Sequence, residues 1–326
     1  MTFARPDRAT DFDTLPRIPS WVISAHAETL EDFAFLSGAV LTHLHLVLAH
    51  EDVPQALLRD RLALRAAEAC VAFSGRPERA GELRDAIHLL RPGDLPGPAG
   101  EICLAWRRAV ERPVSIKALG RGLPTLKPGQ IAAWLDAGKG GPVTGAAMVL
   151  EAVLRDAPRA DVSALILADA ALSLALGWDR LVPLLAAGLK RADLRKRGGD
   201  LRLACHRALI SSAVEAARLA ADLARRTAHL KAVAPKLRAK GAGDAVEMFL
   251  TRDAVAPAAL PLPDRAARRL CDRLVTLGAV RELTGNRSIS WPVSSSSLRI
   301  ILSIRIRTTL PVLVFLEKYS HSPFSS

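Results

Sequence analysis

Apolar residues recur every three to four positions through most of the chain, the spacing that buries one face of an α-helix. The pattern is clear in the segment that begins near Thr29, where Phe33, Leu36, Val40 and Leu44 follow one another. The same periodicity predicts further helices over residues 54–73, 77–90, around 102–106, and over 143–156, 161–177, 179–191 and 201–232.

Clusters of proline and glycine interrupt this pattern. The run at 92–98 holds three prolines and two glycines and predicts a turn that is not helical, and residues 112–128 are broken in the same way. The run Gly138–Pro142 is the candidate boundary between two subdomains. Because the helices repeat with no fixed period, the pattern favours an irregular multi-helix bundle over a solenoid.

Composition supports the same fold class. Half of the residues are hydrophobic but only 4% are aromatic, and alanine and leucine supply most of the apolar content. These residues favour helices, whereas β-branched and aromatic residues are sparse before residue 287. The sequence therefore predicts an all-α protein, with residues 1–27 as an irregular N-terminal arm and residues 28–240 as the helical bundle.

The charge of the chain indicates its classes of binding partner, and its cysteines indicate its cellular compartment. The formal net charge of +12 favours phosphate-bearing partners or an anionic membrane, although arginine-rich proteins without nucleic-acid contact also exist. The four cysteines are scattered without zinc-site spacing, which is typical of a reducing cytosol. The longest apolar stretch, 164–178, is interrupted by Asp169 and is too short to cross a bilayer. We expect a cytoplasmic protein that is not inserted in a membrane.

The last forty residues differ in composition from the rest of the chain. Residues 1–286 contain 56 alanines and residues 287–326 contain none, but the latter hold eleven serines and a β-prone run at 300–306. One interpretation is an amphipathic strand or a membrane-surface segment. The interpretation that the composition favours is out-of-frame sequence that follows a frameshift, and we expect no function from this tail.

The segment at 241–286 has the element order of a small DNA-binding module. Short helical segments are predicted after Gly243 and over 253–260, and a longer helix runs from Asp264, as N-cap, to about Leu277. Gly278 would end that helix, and a short strand and a Gly285–Asn286 turn would follow. Three helices, a strand and a turn form the order of a winged helix, in which the third helix enters the major groove of DNA.

The third predicted helix carries a basic stripe opposite an apolar one. Leu270, Leu274 and Leu277 form the apolar stripe, and arginine in the basic stripe can contact phosphates and guanine edges. The alternative is an ordinary amphipathic surface helix whose arginines Asp264 and Asp272 partly balance. The residues that we predict to bind nucleic acid are Arg265, Arg268, Arg269, Arg273 and Arg281.

Several segments resemble one bacterial family, the domain of unknown function 1403. The resemblance is carried by the runs at 83–94, 251–257, 264–275 and 277–285, together with Pro98–Gly100, and extends over roughly 15–286. The chain departs from the ending of the family at Asn286, which independently indicates a frameshift. The family has no established activity, so the resemblance implies the length of the fold and no mechanism.

Other polar residues are weaker candidates. His43 and His50 share a helix face but stand about 10 Å apart, too far to bind one metal ion together, and His45 points elsewhere. Cys205 and His206 project in different directions, which argues against a nucleophilic pair. Asp169, within an apolar helix, is either a tuned acid or base or a hydrogen-bonded structural group.

Two further runs resemble phosphate sites only in part. The run 138–141 lacks the leading glycine and the Ser or Thr that a phosphate-binding loop needs, and indicates a linker. The basic residues at 190–197 form either a second phosphate contact or a solvated loop. We expect no catalytic site, no metal and no cofactor. The leading hypothesis is DNA binding, the alternative is a helical protein-interaction scaffold without DNA binding, and an enzyme without a recognisable motif comes third.

Overall fold

A computed structural model describes residues 15–88, 90, 93–237, 240–283 and 301–303, and most of them are helical. The prediction of a mostly helical protein is confirmed for the described residues. Thirteen α-helices follow one another in the described residues: α1 (Ser20–Ser24), α2 (Leu30–Leu48), α3 (Gln55–Phe73), α4 (Ala80–His88), α5 (Gly97–Glu111), α6 (Ile116–Gly122), α7 (Pro128–Asp136), α8 (Pro142–Asp156), α9 (Asp161–Ala175), α10 (Leu185–Gly188), α11 (Gly198–Val233), α12 (Ala242–Thr251) and α13 (Asp264–Thr276).

Short turns and strands complete the described residues. Three turns are 3-10 helical, at Arg191–Arg195, Ala234–Lys236 and Pro257–Ala259. The strands are β1 (Ala254–Val255), β2 (Arg281–Leu283) and β3 (Ile301–Ser303), and β3 pairs antiparallel with the other two, which gives the order β1-β3-β2. The predicted β-prone run at 300–306 thus contains β3. The rest of the tail, residues 1–14 of the predicted arm, and the predicted Gly285–Asn286 turn lie outside the described residues.

The chain divides into two compact units, residues 1–228 and residues 229–326. The first unit is built on close helix pairs, above all α8 with α9 and α3 with α5. Its largest fully buried side chain is Trp106, whose indole Nε1 donates a hydrogen bond to the sulfur of Cys70. The predicted break at Gly138–Pro142 lies inside this unit, where α7 packs against α8.

A side-chain cap marks the start of α2, and a glycine follows the end of α3. Thr29 and Asp32 form a reciprocal capping box at the start of α2, with the Asp32 carboxylate accepting from the Thr29 backbone at 2.9 Å. Those bonds hold the pKa of Asp32 below its ordinary value. Gly75, with φ of +75°, follows the end of α3.

Three predictions of local structure are wrong. Residues 92–98 are not all irregular, since α5 begins at Gly97 and contains Pro98 in its first turn. The backbone N–H groups of a first turn have no partner within the helix, so a proline there removes no hydrogen bond. The short helical segment predicted over 253–260 is instead the strand β1 followed by the 3-10 turn Pro257–Ala259. The helix predicted at 179–191 is reduced to the four-residue α10, because Ser173 and Asp169 of α9 accept hydrogen bonds from the backbone at 182–185.

None of the helices in the described part of the chain is both long enough and apolar enough to cross a membrane.

Candidate nucleic-acid interface

The second unit has a hydrophobic core of its own. Phe249 of α12 is almost fully buried in it, together with Val255 of β1 and Leu274 of α13. Leu230 and Val233, on the last turns of α11, belong to the same core. This is why the unit begins near His229 and not at residue 241, where the sequence places the module.

The helix α13 is held in the unit by an apolar face. Ala267, Leu270, Cys271 and Leu274 are buried, which confirms two of the three leucines in the predicted stripe. Leu277 lies just beyond the helix and is half-buried. Burial raises the pKa of the Cys271 thiol to about 12, so this cysteine is a core residue and not a reactive one.

The two ends of α13 are set by different residues. Pro263, and not Asp264 as predicted, holds the N-cap position, and the Asp264 carboxylate instead forms an ion pair with Arg268 at 3.1 Å. At the other end Gly278 adopts φ of +69°, and its N–H donates to Val275 O at 2.9 Å while Ala279 N–H donates to Leu274 O at 2.9 Å. These two bonds form a Schellman motif, so Gly278 ends the helix as predicted.

The predicted arginines of α13 lie on its exposed face. Arg265, Arg269 and Arg273 are exposed and follow one another at four-residue spacing, which places the outer two about 12 Å apart along the helix axis. Arg268 is exposed beside them. Asp264 and Asp272 are exposed on the same helix, so four positive and two negative charges share this surface. We call Arg265, Arg268, Arg269 and Arg273 the arginine row.

Arg281, the fifth predicted residue, is placed differently. It lies in β2, is half-buried, and its Nε atom is buried, so it does not share the exposure of the arginine row. Its neighbour Glu282 is partly buried, and this burial together with the negative charge of Asp272 raises the pKa of Glu282.

His229 is a residue that the sequence analysis missed. Its ring Nε2 lies 3.1 Å from the carbonyl oxygen of Leu277, at the C-terminal end of α13. The two residues are 48 positions apart, so no local pattern in the sequence indicates the contact.

The side chains of His43, His45 and His50 are placed separately, and His50 lies beyond the end of α2 at Leu48, so it does not share a helix face with His43 as predicted. The indole of Trp178 donates to His45 Nδ1 at 3.0 Å, and the backbone N–H of Asp52 donates to His50 Nδ1 at 3.3 Å. Partial burial lowers the pKa of His43. Among the described residues no group of three or more His, Cys, Asp or Glu side chains is placed to hold a metal ion.

His206 pairs with a serine and not with its neighbour in sequence. Its Nδ1 lies 2.7 Å from Oγ of Ser37, a contact between α2 and α11 that the sequence analysis missed. Both side chains are buried, and burial lowers the pKa of His206 while it raises that of Cys205 to about 12. A nucleophilic serine needs access to a substrate, and both side chains of this pair are buried. We therefore interpret the pair as a structural contact.

Asp169 is fully buried in α9. One carboxylate oxygen, Oδ1, accepts the backbone N–H groups of Leu184 at 3.2 Å and Leu185 at 2.9 Å, whereas Oδ2 is buried without a hydrogen-bond partner in the described structure. Burial raises the pKa of this carboxyl to about 7 against the effect of the backbone bonds. The residue anchors the segment before α10, which favours the structural interpretation.

The two runs that resemble phosphate sites in part, 138–141 and 190–197, make contacts within the protein. Gly138 packs so closely that a Cβ atom on it would lie 2.9 Å from a methyl group of Val149. In the basic run at 190–197, Lys196 pairs with Asp193 at 2.7 Å. The backbone N–H of Gly198, at the start of α11, donates to the Glu151 carboxylate at 3.0 Å.

Comparison with known proteins places the chain in a family. A family model described as "Protein of unknown function (DUF1403)" matches residues 6–290. The match includes every run that carries the resemblance in the sequence, and it spans α1 to α13 with β1 and β2, whereas β3 lies beyond it. None of the curated proteins compared with the chain matches it.

Proposed function

The chain belongs to the DUF1403 family of proteins of unknown function, and on that premise we propose that it binds duplex DNA through the arginine row of α13. The observation that carries the proposal is the exposure of all four arginines of the row, on a helix whose opposite face is buried in its own core. Arginine side chains in this arrangement can donate to phosphate oxygens and to guanine edges at once.

In this proposal the second unit acts as a winged-helix-like module, and its order of elements agrees with that module only in part. Helix α12, strand β1, a 3-10 turn, helix α13 and strand β2 follow one another, and β3 lies between β1 and β2 in the sheet. The second helix of such a module is here a single 3-10 turn, Pro257–Ala259. The helix that enters the groove in this proposal is α13.

The direct experiment is duplex-DNA binding by the full chain, followed by fluorescence anisotropy at low salt. A triple variant replaces Arg265, Arg269 and Arg273 with alanine. At about 1 kcal/mol for each lost contact, the affinity should fall roughly a hundredfold. The change leaves the apolar face of α13 intact, and alanine favours the helix.

A matched variant separates this surface from general positive charge. Arg108, Arg155 and Arg218 are exposed on α5, α8 and α11, and their replacement with alanine removes the same three charges. This control should keep its affinity within a few-fold of the unchanged chain. Equal losses in both triple variants would refute the role of α13, and absence of binding at low salt would leave the helical scaffold as the working hypothesis.

A further inference from the structure

One line of residues on α13 faces directly away from the core of the second unit. At about 100° of rotation per residue, four positions lie within about 30° of the direction opposite to the buried face of the helix. All four are exposed, and they are Arg265, Arg269, Asp272 and Thr276. We call these four residues the outward line. In a major groove the outward line would face the base edges, whereas Arg268 and Arg273, about 70° to either side, would face the phosphates.

The chemistry of the outward line matches G·C pairs. A guanidinium group donates two parallel hydrogen bonds, which fit the two acceptors N7 and O6 that guanine presents in the major groove. Adenine presents one acceptor and one donor there, so it does not match an arginine. The carboxylate of Asp272 only accepts hydrogen bonds, and the N4 amino group of cytosine is a donor in the same groove.

The second unit lacks the residue types that recognise adenine. Asparagine and glutamine match the acceptor and the donor of adenine together. Residues 229–283 contain neither, and the whole chain has only Asn286, outside the described residues, and Gln55 and Gln130 in the first unit. The hydroxyl of Thr276 donates to the carbonyl oxygen of Asp272 at 2.8 Å, so it is engaged within the helix. The described side chains of this unit therefore favour G·C over A·T pairs.

The spacing along α13 fits neighbouring base pairs. Arg265 and Arg269 are about 6 Å apart along the helix axis, and Asp272 lies about 4.5 Å further on. Base pairs are stacked about 3.4 Å apart. A helix that follows the groove would place the two arginines about two base pairs apart, with Asp272 about one base pair beyond them.

We propose that α13 recognises G·C pairs in the major groove, with Arg265 and Arg269 each donating to N7 and O6 of a guanine and Asp272 accepting from N4 of a cytosine. This inference rests on the proposed DNA binding and adds the class of sequence that is bound. An arginine at a base edge lies between the two phosphate backbones, so this recognition adds to the phosphate contacts of the arginine row and does not replace them. The cytosine amino group also gives the carboxylate of Asp272 a partner among the phosphates that repel it.

Four duplexes of equal length, followed by fluorescence anisotropy with the full chain at one low salt concentration, test the recognition. One has a mixed G·C sequence and one has A·T pairs, and two repeat the first with 7-deazaguanine or inosine in place of guanine. At about fivefold or more for each base contact, the G·C duplex should bind at least about 25-fold more tightly than the A·T duplex. Inosine keeps N7 and O6 and should bind as guanine does. The 7-deazaguanine duplex lacks N7 and should bind at least about fivefold more weakly.

Two glutamine variants test the assignment of residues. Arg269→Gln places an adenine-matching side chain on the outward line, and the preference for G·C over A·T should fall at least about fivefold. Arg268→Gln is the matched control, because it makes the same change beside the outward line. It should weaken binding to both duplexes by the same factor and leave their ratio unchanged. Equal changes of this ratio in both variants would overturn the assignment.

The outcomes separate this inference from the proposed function. If all four duplexes bind equally and the triple alanine variant of the arginine row still loses affinity, the recognition of G·C pairs is wrong and DNA binding by α13 stands. If none of the duplexes binds at low salt, both are wrong.

Discussion

The buried carboxyl of Asp169 should make the stability of the first unit depend on pH in a defined direction. Its pKa is raised from an ordinary value of 3.8 to about 7, chiefly by burial. Because the folded state holds the proton of Asp169 more tightly than the unfolded state, the contribution of this residue to stability is greatest at acidic pH. It falls as the pH rises from about 4 to about 7, by about 1.4 kcal/mol per pH unit and about 4 kcal/mol in all.

The variant Asp169→Asn isolates this effect. Asparagine keeps an oxygen that can accept the backbone N–H groups of Leu184 and Leu185, and it does not ionise. Between pH 5 and pH 7 the free energy of unfolding of the variant should gain about 2 kcal/mol relative to the unchanged chain. All other titrating groups are common to both proteins and cancel in the difference.

Urea unfolding followed by tryptophan fluorescence measures that difference. Four of the five tryptophans lie within residues 1–228, so most of the signal reports the unit that contains Asp169. Asp136→Asn is the control, because Asp136 is exposed, and its difference from the unchanged chain should stay constant with pH. A constant difference for Asp169→Asn as well, across pH 5 to 8, would show that the buried carboxyl does not titrate in this range.

Three further predictions concern the fold. Thr29→Ala removes the capping box of α2 and should lower the free energy of unfolding by about 1 kcal/mol in urea. Gly188→Ala should destabilise by at least about 2 kcal/mol, since its Cβ would lie 2.4 Å from the carbonyl oxygen of Ala208, whereas Gly81→Ala meets no neighbouring atom and should not. The four buried cysteines, three with a pKa raised to about 12, should react with Ellman's reagent only after unfolding; fast reaction of the folded chain would contradict their burial.

Local signals in the sequence predict much of the helical fold. The start of α2 near Thr29, the apolar period of α2 and the terminating glycine at 278 each depend on a few neighbouring residues, so they can be predicted without the tertiary structure. The helix at 179–191 could not be excluded in that way. Backbone N–H groups in this segment donate hydrogen bonds to the side chains of Asp169 and Ser173, which lie close to it only once α9 is packed.

The sequence predicts the candidate interface only where the interface depends on a single helix. The periodicity of α13 identifies both its buried leucines and its exposed arginines, because a single helix fixes which residues share a face. The burial of Arg281 and the contact between His229 and Leu277 depend on how β2 and α11 pack in the second unit. No spacing along the chain contains that information, so these features required the structure.

The salt dependence of DNA binding tests the central proposal most directly. Each arginine–phosphate contact releases condensed counterions and adds about 0.9 to the slope of the logarithm of affinity against that of salt concentration. The variant with alanine at positions 265, 269 and 273 should therefore show a slope smaller by about 2.7 than the unchanged chain. If the two slopes are equal, the arginine row does not contact the phosphates, and the proposal that α13 binds DNA is wrong.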